Sequence, residues 1–353
     1  MSFSFFLFVF LVVMVPITMC IHHYFLQRAT KQNIKKYNIT ATRWASQRKP
    51  MLGGVGFMAG YVIAVVVWFL VSEKFGQSIQ GRMPLGVIIS LILAFVMGLV
   101  DDIFNTSPMF KFLMQFAVSL ILIYSGVYID IFDNQWFNYA LTIFWIVGIM
   151  NSLNMLDNMD SVTNTMSIIV LVGILVVMLT KNTDAFMSLG LVGALSAMLS
   201  FYRYNWHPAK MYMGDNGSQF LGALLGILSI KYLWNEAALE ISNPVYPFLI
   251  VYLMFLVPLT DTTTVTINRL MQGKSPFVGD TNHTTHNLSY RGLSDRQVVL
   301  VLGTINLLSA ATAVYFLLVP PQSAWPLWLA AILGAIVSVL LYANTKIAKP
   351  KSE

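Results

Sequence analysis

The chain has 353 residues, 57% of them hydrophobic and only 10% charged, with a formal net charge of +6. Ordinary soluble domains carry about 25% charged residues, so the composition excludes one and points to the membrane. A single cysteine, Cys20, excludes an internal disulfide, and no aromatic-interleaved basic groove supports a nucleic-acid partner.

A bilayer-spanning helix needs roughly 20 apolar residues. Such stretches are predicted at 3–25, 52–72, 83–100, 109–129, 137–156, 162–180, 185–202, 216–234, 245–265, 298–319 and 327–343. The expectation is an all-α integral membrane protein of about eleven spans; the weak two-residue alternation of a barrel is absent. Phe3 to Ile21 follows no basic residue and precedes no small-residue cleavage pattern, so a retained first helix is expected rather than a cleaved leader. Pro320, Pro321 and Pro326 divide the last apolar run in two. No long soluble insertion separates the spans. One polytopic domain over 1–353 is therefore expected, with a basic loop at 26–51 and a His/Arg loop at 266–297.

Positive residues favour the cytoplasmic side. The 26–51 loop holds Arg28, Lys31, Lys35, Lys36, Arg43, Arg48 and Lys49 and no acid, which puts the N-terminus outside and the C-terminus inside. With eleven spans, only Lys74, Arg82, Lys181 and Lys231 of the 21 Lys and Arg residues fall outside. On the same count Asp101, Asp102, Asp157, Asp160, Asp215 and Asp261 all lie at the inner face, where a site is expected. Charges at membrane depth are costly and usually functional.

Five segments carry the chemistry. "GLVDDIFNTSP" (98–108) ends a span with paired carboxylates, which repel unless a cation or proton lies between them. Hard oxygen ligands beside water suit Mg²⁺; the other reading is a polar helix end and an Asn-Thr-Ser-Pro turn. "NSLNMLDNMDSV" (151–162) sets Asn151, Asn154, Asp157 and Asp160 at steps of three, one polar stripe on a helix. It faces either a site or a neighbouring helix. "NWHPAKMYMGDNGSQFLG" (205–222) places Asp215 before a span, followed by small residues. This segment reads as an anion site at a helix start or as an N-cap with a glycine turn. "GDTNHTTHNLSYRG" (279–292) carries His283 and His286; with no third soft ligand nearby, phosphate contact fits better than zinc. In "KPMLGGVGF" (49–57) the glycines suit close helix packing, with a backbone approach to phosphate beside Lys49 as the alternative. Together these segments suggest phosphoryl transfer between a nucleotide compound and a lipid. No G-x-x-x-x-G-K-[ST] loop is present for ATP coupling.

In these segments, and in "VPLTDT" (257–262), the chain closely resembles the polyprenyl-phosphate N-acetylhexosamine-1-phosphate transferases, glycosyltransferase family 4. The resemblance runs from the second span to the loop after the ninth, with the blocks in the family's order. Lacking a long run of histidines, the chain is similar to the WecA/TagO-like branch rather than the muramoyl-pentapeptide (MraY) branch.

The resemblance implies that a polyprenyl (undecaprenyl) phosphate attacks a UDP-N-acetylhexosamine, chiefly UDP-GlcNAc, in the cytoplasmic membrane of a bacterium. UMP would leave, and a cell-envelope glycan such as lipopolysaccharide O-antigen, teichoic acid or capsule would begin. Mg²⁺ is implied as cofactor, with Mn²⁺ as a substitute. Membrane lipids are the surroundings, and a homodimer is allowed.

By the same resemblance Asp101 deprotonates or orients the lipid phosphate, with Asp102 beside it and also a metal candidate. Asp157 and Asp215 are the implied Mg²⁺ ligands, Asp157 and Asp160 also belonging to the catalytic set. Asp160, Asn154 and Asn205 would shape the nucleotide-sugar pocket, while Lys49, Lys111, Gly214, Arg269, His283 and His286 would meet phosphates or sugar. Asn158 and Ser161 stand where the family commonly has glycine, and Thr285 stands for the middle histidine of its His-x-His-His. The muramoyl-pentapeptide donor is the alternative within the same chemistry. An ion or solute transporter is the alternative outside it, disfavoured because the acids gather at one face and no internal repeat is found.

Overall fold

The computed structural model describes residues 2–31, 40–42, 48–75, 81–181, 184–240, 243–275, 283–321, 323 and 325–347. Half of the basic 26–51 loop, Asp280 and part of the 266–297 loop lie outside them.

The described chain is nearly all helical. Helix α1 (Phe3–Lys31) leads to a two-stranded antiparallel hairpin, β1 (Thr40–Thr42) and β2 (Arg48–Pro50). There follow α2 (Gly53–Val71), α3 (Arg82–Phe104), α4 (Pro108–Tyr124), α5 (Gln135–Leu156), α6 (Val162–Thr180) and α7 (Ala185–Asn205). Then come α8 (Asp215–Ser229), which runs on through a π turn (Ile230–Trp234), and the short α9 (Asn235–Glu240). The chain continues with α10 (Val245–Met254), α11 (Leu256–Met271), α12 (Thr284–Tyr290), α13 (Asp295–Leu318) and α14 (Trp325–Ile347).

Eight of these helices (α1, α2, α3, α5, α6, α7, α13 and α14) are each long and apolar enough to cross a membrane. Eight apolar helices of this length make the chain a multi-pass membrane protein. The other three expected spans take different forms. The stretch at 109–129 is the shorter apolar helix α4, and 216–234 is α8 with its π turn. The stretch at 245–265, expected as one span, is two helices, α10 and α11, meeting at 91°. The cause is Pro258, which has no N–H for the Met254 carbonyl and so cannot continue α10 through Phe255. The buried Asn306 side chain accepts from Val257 N at 3.1 Å, meeting one of the N–H groups that the break exposes.

Polar caps set several helix starts. Asn134 accepts from Trp136 N, Asp184 from Phe186 N, and Ser294 with Gln297 forms a capping box on α13. Helix α7 is buried almost along its whole length, whereas α1 and α14 expose most of theirs, so the core lies around α7 and α8. Glycines let the backbones close. A Cβ on Gly98 of α3 would lie 2.2 Å from the Asp215 carbonyl, and one on Gly54 of α2 2.3 Å from Gly217 N. The glycines of "GGVGF" therefore serve close packing here. Helices α2 and α3 press directly on the start of α8, and that contact positions the site.

Candidate active site

The turn after α3 brings a lysine back over an aspartate. Asn105 takes the left-handed conformation (φ 49°) and its N–H donates to the Asp101 carbonyl. Ser107 then caps α4, with Pro108 in its first turn. Reversing the chain this way sets Lys111, on the first turn of α4, against Asp101 at the end of α3. Lys111 Nζ lies 2.5 Å from Asp101 Oδ2 and 3.0 Å from Asp215 Oδ2. Asp101 Oδ1 accepts from Thr106 N and from the Thr106 hydroxyl. Asp101 and Asp215 thus share one ammonium group. Two carboxylates that close need a cation or proton between them, and here an ammonium group bridges them.

Asp102, the next residue, has a different environment. Its carboxylate accepts from Asp215 N at 2.9 Å, Asn216 N at 3.0 Å and Asn216 Nδ2 at 2.5 Å. Gly214 offers α8 no side-chain cap, so Asp102 of α3 supplies one from outside, where free N–H groups and the helix dipole favour a carboxylate. Gly214 itself sits at φ 78°, ψ 167°. A Cβ there would lie 2.8 Å from Asp102 Oδ2 and 2.7 Å from Asn216 Nδ2.

Polar links tie this cluster to α5. Asn154 Nδ2 donates to Ser218 Oγ at 2.9 Å. One turn deeper, Gln115 of α4 bonds both Asn151 of α5 and Gln219 of α8. The expected stripe is helical only through Asn151 and Asn154, which face other helices; α5 ends at Leu156, so Asp157 and Asp160 lie past its end. Asp157 is the C-cap of α5 and half-buried. Asp160 Oδ2 accepts from Ala209 N at 2.9 Å and lies 3.1 Å from His207 Nδ1, so it holds the loop between α7 and α8. His207 also contacts Asp295, and Arg296 donates to the His207 carbonyl. Asn205 is fixed by Ser161 N, by the Ser161 hydroxyl and by its own bond to the Met211 carbonyl.

On the other side, Lys49 is buried with Nζ 5.3 Å from the centre of the Tyr212 ring. Its strand runs on beside the same segment: Tyr212 N donates to the Pro50 carbonyl and Gly53 N to the Tyr212 carbonyl. Arg269, at the end of α11, donates to the Ser275 carbonyl. His283 and His286 meet edge to face, with centroids 5.5 Å apart.

Two departures from the family pattern touch each other. The Thr285 hydroxyl donates to Asn158 Oδ1 at 2.7 Å, joining α12 to the turn after α5. The third, Ser161, is in the left-handed region at φ 65°, where glycine is the easy residue. Its two bonds to Asn205 hold it there. A double-mutant cycle of Thr285→Val and Asn158→Ala, read by thermal unfolding in detergent, is expected to give a coupling of about 1 kcal/mol. Additive losses would show that the bond contributes nothing.

Sequence reasoning names Asp101, Lys111 and Asp215 separately, and the structure brings them into one cluster. It overlooks Thr106, Gln115, Gln219 and His207. Gln115, four residues after Lys111, and Gln219, four after Asp215, carried a signal in the α-helical spacing that puts them on the same faces. Among the described residues no group of three or more His, Cys, Asp or Glu side chains is gathered as a metal site. Asp215, whose carboxylate already sits against a cation, nevertheless suits Mg²⁺, which takes one or two carboxylates and keeps several waters.

Fold and site together define a multi-pass membrane protein whose helix ends gather carboxylates around a cation. The profile described as glycosyl transferase family 4 matches residues 84–233, the stretch holding the Asp101–Lys111–Asp215 cluster. The chain is 32% identical to a "Probable undecaprenyl-phosphate N-acetylglucosaminyl 1-phosphate transferase" of Bacillus subtilis, over 75% of this chain and 72% of that one. It is 29% identical to a "Decaprenyl-phosphate N-acetylglucosaminephosphotransferase" of Mycolicibacterium smegmatis, over 83% and 78%. A "Phospho-N-acetylmuramoyl-pentapeptide-transferase" of a Wolbachia species is 25% identical over 76% and 84%. The chain belongs to glycosyl transferase family 4.

Proposed function

We propose that this protein transfers N-acetylglucosamine-1-phosphate from UDP-GlcNAc to undecaprenyl phosphate, releasing UMP and starting a cell-envelope glycan. The observation that carries the reading is the Asp101–Lys111–Asp215 cluster at the capped start of α8. The Bacillus subtilis relative, named for this kind of transfer, supports the acceptor and the sugar. In the reaction an oxygen of the lipid phosphate bonds to the sugar-bearing phosphorus, and the bond from that phosphorus to the UMP oxygen breaks.

Asp101 orients the lipid phosphate and takes its proton. Lys111, released from its carboxylates, neutralises phosphate charge. Asp215 and Asp157 would hold Mg²⁺, which would supply polarisation of a phosphoryl oxygen. Asp102 acts by fixing Asp215 and the start of α8. Asp160, Asn154 and Asn205 shape the nucleotide-sugar pocket, and Lys49, Arg269, His283, His286 and the Gly214 backbone meet phosphates or sugar. Positioning and charge neutralisation do most of the work.

Eleven spans forming one domain over 1–353, with the N-terminus outside, the C-terminus inside and the site at the cytoplasmic face of a bacterial membrane, follow from the charge pattern. In that arrangement the α10–α11 pair counts as one bent span. Membranes bearing the protein are expected to release UMP from UDP-GlcNAc only with undecaprenyl phosphate and Mg²⁺ present, and EDTA should stop the release. A panel including UDP-MurNAc-pentapeptide identifies the donor. No UMP from any UDP-sugar overturns the proposal.

A further inference from the structure

The transfer reading leaves Asp261 without a task. It lies on α11, fully buried at 0% exposure. Its Oδ1 accepts from Thr284 N at 2.8 Å and from the Thr284 hydroxyl at 2.6 Å. Its Oδ2 lies 2.8 Å from His283 Nδ1. A carboxylate only accepts, so the hydrogen in that contact belongs to Nδ1. Ring orientation and tautomer are thereby set, and Nε2 is the nitrogen turned away from Asp261.

Pinning α12 needs no charge, because a neutral amide oxygen would accept from Thr284 as well. A buried carboxylate is costly to desolvate. What it does that an amide cannot is enforce one tautomer, since an amide NH₂ can equally donate to a bare Nδ1. The Thr285–Asn158 bond meanwhile holds α12 against the turn that carries Asp157.

We propose that Asp261 is a positioning residue of the transfer: through His283 it presents Nε2 to a phosphate oxygen or sugar hydroxyl of the nucleotide sugar. This rests on the transfer reading above.

The experiment measures kcat/KM for UDP-GlcNAc, by UMP release, together with thermal unfolding of the full chain. Asp261→Asn is expected to lower kcat/KM by about 100-fold while the protein stays folded. In a His283→Gln background the same change should add less than about threefold, because a residue acting through His283 has nothing left to orient. An equal loss in both backgrounds overturns the proposal in favour of a purely structural Asp261. Thr284→Val removes a hydroxyl from the same carboxylate without touching His283, and a loss under about fivefold is expected; a loss matching Asp261→Asn overturns the proposal.

Should Asp261→Asn not fold, His283→Asn decides. It keeps an N–H for Asp261 and deletes Nε2, so a stable protein about 100-fold slower is expected. Undiminished activity overturns the proposal. Wild-type protein that releases UMP while these variants behave additively sinks the dyad alone. Wild-type protein that releases none sinks the transfer reading and the dyad with it.

Discussion

Asp101→Asn is expected to lower UMP release by about a thousandfold with little change in Tm, whereas Asp102→Asn should lower both. Neighbours in sequence, the two residues do different work. Asp101 reaches Lys111 with one oxygen and Thr106 with the other, and an asparagine amide can keep the Thr106 bonds. What is lost is the negative oxygen facing the reacting phosphate, and removing one preorganised electrostatic group of this kind costs about 100- to 1000-fold. Asp102 instead receives three donors from the start of α8. An asparagine there turns an NH₂ toward N–H groups, and hydrogen bonds to charged acceptors contribute about 1.5–3 kcal/mol each. Thermal unfolding and UMP release on both variants separate the roles. Asp101→Asn with more than a tenth of wild-type activity would remove Asp101 from the chemistry.

Gly214→Ala should be nearly as damaging, by another route. At φ 78° and ψ 167° the residue lies in a region that is almost glycine-only, and a side chain there costs about 1–3 kcal/mol. The added carbon would also meet Asp102 Oδ2 and Asn216 Nδ2 at 2.8 and 2.7 Å, so the external cap must shift. Displacing Asp215 by an ångström is enough to lose about 100-fold in rate. The expected result is a lower Tm together with at least that loss of UMP release. Ser161→Gly, at the other strained turn, relieves the backbone and should leave the fold intact. An active, fully stable Gly214→Ala protein would show that the start of α8 tolerates movement.

Much of the fold was legible because apolar length is a local property. The eight long helices could be read directly, and so could the Asn-Thr-Ser-Pro turn that reverses α3 into α4. The break at Phe255 is less so: Pro258 sits within an apolar run that reads as one span. The site was legible residue by residue but not as contacts. Lys111 reads as a phosphate ligand, and nothing local says that it bridges Asp101 and an aspartate more than a hundred residues away. The Asn154 stripe pointed to polar company without naming Ser218 or Gln115. Asp261 was visible as an inner-face acid, but its tie to His283 spans 22 residues and depends on how α12 folds back.

The Thr285–Asn158 bond is unequal in what each partner loses with it. Thr285 is fully buried at 0% exposure, whereas Asn158 is half-buried and also bonds the Met155 carbonyl. The threonine alone would bury an unanswered hydroxyl, at a cost of about 1–3 kcal/mol. The asparagine alone keeps its local bond and some water. Truncating Asn158 therefore strands a buried hydroxyl, whereas truncating Thr285 leaves Asn158 its bond to the Met155 carbonyl, so the first loss costs more than the second.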